Sequence, residues 1–291
     1  MRIATYEKDQ QRYVGVVSDD ALTVQALLDI PAETAERGVL GLIQAYGEPT
    51  QIAVLPRATA IPLDSVKLLA PVPRPQRNIF CVGRNYHAHA QELSGSVFKA
   101  NNADPAAWPI VFTKVPETVI AHGDDVILPT GLTEQIDYEA ELAIVIGKGG
   151  KNISKANAMS HIWGYTIVND VTARDVQMRH QQWDLGKSFD TFCPMGPWLI
   201  TADAFNAADT RVCCWVNDEL RQDGRTRDLI FDLPTLIETC SRGITLYPGD
   251  VIATGTPAGV GMGFNPPRYL KSGDRVRIQI DGIGTLENRF R

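Results

Sequence analysis

Two glutamates interrupt an otherwise apolar run, Asp137-Tyr-Glu-Ala-Glu-Leu-Ala-Ile-Val-Ile-Gly147. The β-branched residues at its C-terminal end predict a strand. Side chains at i and i+2 of a strand share a face, so Glu139 and Glu141 are expected side by side. Like charges repel and are costly to bury, and a cation between them answers both problems. Carboxylate oxygens are the ligands that Mg²⁺, Mn²⁺ or Ca²⁺ prefer. The pair would also suit the solvated face of an edge strand. A third carboxylate, Asp170, ends the run Tyr165-Thr-Ile-Val-Asn-Asp170. Three carboxylates leave open positions on an octahedral Mg²⁺ for water or substrate oxygens. Asp170 could equally cap the helix that follows, with Asp175 as its first-turn charge.

A second group lies in Asn85-Tyr-His-Ala-His-Ala-Gln-Glu-Leu93. His89 and Glu92 stand at i and i+3 on one helix face. A carboxylate beside an imidazole fixes its tautomer and makes it a general base; an ordinary surface contact is the alternative. The polar segment Ser94–Trp108 that follows has the composition of a lid. Lys187 sits in the restrained, aromatic stretch Trp183-Asp-Leu-Gly-Lys-Ser-Phe189. Partly desolvated there, it could steady an enolate or a carboxylate, or it could snorkel to the surface. Thr254-Gly-Thr-Pro-Ala-Gly-Val-Gly261 offers amides and two hydroxyls to an oxyanion, although a structural turn fits as well. It is neither a Walker loop nor a dinucleotide fingerprint. His122, His161 and His180 have no convergent partners in sequence, and no Gly-x-Ser-x-Gly occurs.

These residues need a scaffold. Strands are predicted at Arg2–Tyr6 and Arg12–Val17 as a hairpin, then at Asn78–Gly83, Ile110–Lys114, Val119–Ile120, Val126–Leu128 and Glu139–Ile146. More follow at Ile162–Asn169, Trp198–Thr201, Arg211–Val216, Asp250–Ala253 and Arg275–Ile280. Helices are predicted at Thr23–Leu28, Ala32–Tyr46, Tyr86–Leu93, Lys155–Met159, Thr172–Arg179 and Asp232–Cys240. Strands outnumber helices with few βαβ alternations, which predicts a β-rich α+β fold. Three prolines near Val72 suggest a boundary between a small N-terminal α+β domain (1–72) and a larger domain (73–291).

Composition narrows the function. At 291 residues the chain can bury a sizeable core. Its net charge of −6, with no Lys/Arg run, argues against a nucleic-acid surface. No apolar stretch has the length of a membrane span, and the N-terminus lacks a signal-peptide core. Five scattered cysteines without a Cys-x-x-Cys pair suggest a reducing, cytoplasmic setting rather than a disulfide framework or zinc site. A catalytic cysteine stays open beside buried structural thiols.

Taken together, the chain resembles the fumarylacetoacetate hydrolase superfamily. The resemblance rests on Cys81-Val-Gly-Arg-Asn-Tyr86, Asp137-Tyr-Glu-Ala-Glu141, Asn169-Asp-Val-Thr-Ala-Arg-Asp175, Gly186-Lys-Ser-Phe189, Val216-Asn-Asp-Glu-Leu220 and Pro248-Gly-Asp-Val-Ile-Ala-Thr-Gly-Thr-Pro257, in family order. It is strongest to the subgroup with a small N-terminal domain, which holds bacterial acylpyruvases and diketo-acid hydrolases. The resemblance implies a mixed β-sandwich roll, commonly homodimeric. It implies Mg²⁺ or Mn²⁺ on Glu139, Glu141 and Asp170, a His89–Glu92 dyad on a lid at about 87–108, and an active-site Lys187. It implies that Arg84, Tyr86, Arg174, Gln177 and Thr256 line the substrate pocket. Fumarylacetoacetases proper have an additional acidic ligand where this chain reads Gly83-Arg-Asn-Tyr86, which points away from fumarylacetoacetate itself. The implied activity is hydrolysis of a C–C bond in an acylpyruvate or 2,4-diketo acid through a metal-stabilised pyruvate enolate. The same core could serve an oxaloacetate decarboxylase or tautomerase, or a 2-oxo acid isomerase or hydratase. A non-catalytic 2-oxo acid binder is a further alternative, disfavoured by the retained dyad.

Overall fold

The apolar run after Glu139 forms the strand Ala140–Ile146, buried at every position in the computed structural model, which describes residues 1–92, 108–179 and 182–291. Neighbours on both edges and apolar layers on both faces explain why its sequence does not alternate. It pairs antiparallel with Ile162–Asn169, with Ala140 opposite Asn169, and on its other edge with Val251–Ala253. The sheet continues through Ile79–Gly83, parallel to Val251–Ala253, and ends at Ile110–Lys114. On the far side it continues through Cys193–Thr201 to Arg2–Lys8, Gln11–Val17, Thr23–Ala26 and Ile61–Pro62.

Residues 1–72 therefore extend the sheet that carries the glutamates. Arg2 and Ile3 pair with Ile200 and Leu199, and Trp163 Nε1 donates to the Gly47 carbonyl at 2.7 Å. Ile3, Val14, Leu40 and Leu42 share an apolar cluster with Val145, Val168 and Leu199. Each such side chain, fully buried, stabilises by about 1.5–3 kcal/mol before the entropy of ordering is subtracted.

A second sheet orders Glu219–Arg225, Arg211–Val216, Arg275–Ile280, Gly284–Phe290 and Asp125–Val126. Its first hairpin turns through Asn217 and Asp218, at φ 50° and 68°, the left-handed pair that a two-residue turn requires. Val212, Cys214, Ile278 and Leu286 of this sheet pack in one cluster with Leu142, Ile144 and Ile167 of the first. The result is the strand-rich α+β fold with mixed sheets that the sequence predicts. No helix among the described residues is long and apolar enough to cross a membrane.

Several local expectations need correction. Thr23–Ala26 is a strand rather than the start of a helix, because hydrogen bonding to Gly15–Val17 overrides weak helical spacing in so short a segment. Thr172–Ala173 pairs with Ile136–Asp137, so the helix expected from Thr172 begins at Arg174. The short helix expected at Lys155–Met159 is instead a 3₁₀ turn at Ala158–His161. Strands Glu219–Arg225 and Gly284–Phe290 escape detection because charged residues break their apolar pattern. Of the segment expected as a lid, residues 93–107 lie outside the described residues, as does His180.

Candidate active site

Antiparallel register assembles the three carboxylates. Because Ala140 faces Asn169, the chain leaves one strand at Asp170 opposite the point where Glu139 enters its neighbour. The Asp170 amide donates to the Glu139 carbonyl at 2.9 Å. Carboxylate oxygens of Glu139, Glu141 and Asp170 all lie within 4.8 Å of one another, and all three residues are buried. The solvated-edge alternative for the glutamates is thereby excluded. Asp170 does not cap the next helix either: Ala173 occupies that position, with no side-chain cap.

Three cations surround the triad. Lys187 Nζ donates to Glu139 Oε2 at 2.8 Å and to Asp170 Oδ2 at 2.6 Å. Its ammonium also lies 4.8 Å from the Phe112 ring centroid. It is buried rather than snorkelling. Gly186 is what allows this placement: a Cβ there would stand 2.5 Å from the Gln177 backbone nitrogen, so only glycine lets the Lys187 turn lie against Arg174–Gln177. Arg174 Nη2 lies 2.7 Å from Glu139 Oε1, while its Nε donates to Asp137 Oδ2 at 2.9 Å. Lys114 is fully buried and donates to Asp170 Oδ1 at 2.7 Å, to the Val171 carbonyl at 3.0 Å and to the Lys187 carbonyl.

Four carboxylates, counting Asp137, thus face three cations, and Glu141 is the carboxyl that takes part in none of these ion pairs. Burial, then Asp170 and Glu139, push the Glu141 carboxyl well above the usual range. Burial would raise Glu139 as well, but Lys187 and Arg174 outweigh it and hold that carboxyl well below the usual range. For Lys187, burial acts to lower the ammonium's value, and Asp170 and Glu139 reverse the effect and raise it. A hard divalent cation among these oxygens would supply the charge that Glu141 lacks. Each oxygen already engaged by an N–H keeps a second lone pair for it. The donor set therefore fits such an ion.

The helix His87–Glu92 begins just past the strand Ile79–Gly83. Within it His89 is buried and His87 exposed, which separates the two histidines. His89 Nδ1 stands 3.1 Å from Glu92 Oε2, and Glu92 Oε1 accepts from the Gly259 amide at 3.0 Å. With Glu92 ionised, Nδ1 carries the proton and Nε2 remains an acceptor, an assignment made from the partners.

His89, Glu139, Glu141 and Lys187 line one small cavity of about 20 Å³. Arg84, Arg174, Gln177 and Thr256, placed in the pocket by resemblance, line it as well. Glu92 lies behind His89, Asp170 is fully buried against Lys187 and Lys114, and Tyr86 is buried outside the lining, bridged to Leu229. Arg84 reaches the cavity from backbone at φ 54°, an uncommon conformation for a side chain of its size. The loop after Ala253 serves the protein's own carboxylates. The Gly255 amide donates to Glu141 Oε2 at 2.9 Å, and the Thr254 and Thr256 hydroxyls donate to the Leu142 and Ala140 carbonyls. All five cysteines are free and buried. Burial pushes the Cys193 and Cys240 thiols up to about 12, which leaves neither available as a nucleophile at neutral pH.

Sequence reading missed Lys114 and the role of Asp137. The one available signal for Lys114 was a lysine closing the otherwise apolar Ile110-Val-Phe-Thr-Lys114. Lys114→Met is expected to lower stability by about 3–5 kcal/mol, since it removes one of the two cations on buried Asp170 and leaves four buried carboxylates to two cations. The urea midpoint of the purified variant measures this, and an unchanged midpoint would refute it.

Comparison with known proteins identifies the family of the chain. The family model described as fumarylacetoacetate (FAA) hydrolase C-terminal matches residues 78–291. Oxaloacetate tautomerase YisK of Bacillus subtilis is 44% identical over 312 residues, covering 100% of both chains. Human mitochondrial oxaloacetate tautomerase FAHD2A is 44% identical over 242 residues, which cover 82% of this chain and 72% of that protein. Among solved structures, a fumarylacetoacetate hydrolase from Exiguobacterium antarcticum superimposes with a TM-score of 0.84 at 40% identity, covering 100% of this chain and 99% of that one.

Proposed function

This chain belongs to the fumarylacetoacetate hydrolase family, and on that footing we propose that it is an oxaloacetate tautomerase dependent on Mg²⁺ or Mn²⁺. The observation that carries the reading is the placement of His89, seated on Glu92, in the same small cavity as the carboxylate triad and Lys187. Keto–enol exchange needs a base that moves a proton and a fixed positive charge where an oxyanion develops. It needs no side-chain nucleophile, and no thiol is placed to act as one. The full-length likeness to a relative named oxaloacetate tautomerase supports this choice over C–C hydrolysis as the main activity.

In this reading Glu139, Glu141 and Asp170 hold the ion, which when bound supplies Lewis-acid stabilisation of negative charge on a 2-oxo acid. His89 Nε2 takes a proton from C3 of the keto acid and delivers it to the C2 oxygen to give the enol, which leaves the imidazole neutral again; the reverse sequence regenerates the ketone. Glu92 keeps the ring in the required tautomer. Lys187, already cationic and buried, stabilises charge on the same side of the substrate. Arg84 lines the cavity and is assigned the distal carboxylate, the group that sets oxaloacetate apart from pyruvate.

Hydrolysis of an acylpyruvate or related 2,4-diketo acid is the second reading, supported by the likeness to a protein named fumarylacetoacetate hydrolase. There His89 would take its proton from water. Side-by-side assay separates the two. Tautomerase activity predicts accelerated decay of the ultraviolet absorbance of enol-oxaloacetate, with no CO₂ released and no pyruvate formed from acylpyruvates. Pyruvate release from an acylpyruvate with no effect on the oxaloacetate enol would reverse the assignment.

A further inference from the structure

The 3₁₀ turn Gly261–Gly263 lies against the helix that carries the dyad, and its last residue has no backbone reason to be glycine. Gly263 is absent from the residues with positive φ, unlike Gly255 and Gly259 at 103° and 104°, and it is exposed on its outer side. What distinguishes it is the space where a Cβ would go. That atom would stand 2.0 Å from Glu92 Oε1, 2.2 Å from Cδ and 2.6 Å from Cγ. These are the atoms of the carboxylate that holds His89.

We propose that Gly263 is a positioning residue: its missing side chain leaves the volume in which the Glu92 carboxylate sits squarely against His89 Nδ1. The inference rests on reading His89 and Glu92 as the proton-transfer pair. The turn is fixed from behind. The Asp137 carboxylate accepts from the Gly261 amide at 2.6 Å and from the Met262 amide at 2.9 Å. The same carboxylate holds Arg174 Nε, and Arg174 Nη2 pairs with Glu139. Asp137 thus ties the wall behind Glu92 to the triad, and neither wall nor helix can yield to an added methyl as easily as the Glu92 side chain can. A β-carbon at 263 meets the flexible end of a side chain, so the chain still folds while the carboxylate is displaced. Both bonds of that carboxylate, to the Gly259 amide and to His89, are then lost or lengthened. Gly259 would be the wrong probe, because a Cβ there meets the Arg221 carbonyl oxygen at 1.9 Å and would distort the loop itself.

Gly263→Ala, Glu92→Ala and the double variant are compared as Mg²⁺-loaded full chains on the oxaloacetate enol. Gly263→Ala is expected to lower kcat by about tenfold to a hundredfold, the low end of what general-base catalysis contributes. KM should stay within about twofold and the melting temperature within about 2 °C, as for a substitution that leaves packing intact. On the Glu92→Ala background the same change should cost nothing further, because its target is gone. If Glu92→Ala retains full activity, the proton-transfer reading itself fails. If Glu92→Ala is impaired but Gly263→Ala is not, the positioning role fails and the dyad stands. A loss that multiplies on the Glu92→Ala background, or a fall in melting temperature, would show general loop damage and overturn the proposal.

Discussion

Glu141→Gln is expected to cost at least about a hundredfold in Mn²⁺ affinity, beyond the range that outer-shell changes produce, while leaving the metal-free protein as stable as the parent or more so. The asymmetry follows from the partners. Glu139 and Asp170 each hold buried cations, so neutralising either would take one carboxylate partner from Lys187 and one from Arg174 or Lys114. Glu141 has an amide partner, Gly255, and no cation in hydrogen-bonding contact among the described residues. A glutamine oxygen can accept from that amide equally well. Titration calorimetry with Mn²⁺ and thermal melts of the metal-free protein give the two readouts. Affinity within about tenfold of the parent would remove Glu141 from the ligand set.

The same carboxyl gives a pH signature. Its value in the folded, metal-free chain is raised above the ordinary 4.5, chiefly by burial. The folded state therefore holds a proton that the unfolded chain has already lost, over the range between the ordinary and the raised value. The contribution is fully present below the ordinary value and is lost as pH rises through the raised one. Stability of the metal-free protein should fall across that window, and Mg²⁺ affinity should climb, because binding expels the proton. Glu141→Gln should abolish both trends in urea midpoints and Mg²⁺ titrations taken from pH 5 to pH 9.

The second large effect is on turnover alone. His89→Gln is expected to reduce kcat by about 10²–10⁴-fold, the usual contribution of a positioned general base. Its Mn²⁺ affinity should match the parent's, since His89 is not one of the clustered carboxylates. His87→Gln, on the exposed side of the same short helix, should behave as the parent does. Steady-state kinetics of the two variants side by side decides the matter. Equal losses would mean that the helix, not the imidazole of His89, is what matters, and no loss in His89→Gln would place the base elsewhere.

The triad was legible because strand periodicity is local: two glutamates at i and i+2 share a face whatever surrounds them. Asp170 was legible only as a candidate, since its approach to Glu139 depends on the register of two strands, with Ala140 opposite Asn169. His89 and Glu92 were legible as a pair for the same local reason, at i and i+3. Burial of His89 and exposure of His87 required the fold. Lys114 and Asp137 were not legible, because their partners lie 56, 37 and 124 residues away. The loop after Ala253 suits an oxyanion cradle or a structural turn by sequence, and its amides hold the protein's own Glu141 and Glu92. Composition could not show that, since an amide's partner is fixed by topology. The N-terminal strands show the converse. Thr23–Ala26 carries a weak helical pattern, yet a neighbouring strand determines its conformation.

In the proposed function the carboxylate triad and the dyad together interconvert the keto and enol forms of oxaloacetate. This interconversion is tested most directly by adding metal-stripped protein to enol-oxaloacetate and following absorbance before and after Mg²⁺, against a blank of Mg²⁺ alone. The expected result is no acceleration without metal, rapid decay once Mg²⁺ is added, and return to the blank rate on chelation. Equal acceleration with and without the ion, or a rate no faster than the Mg²⁺ blank, would contradict it.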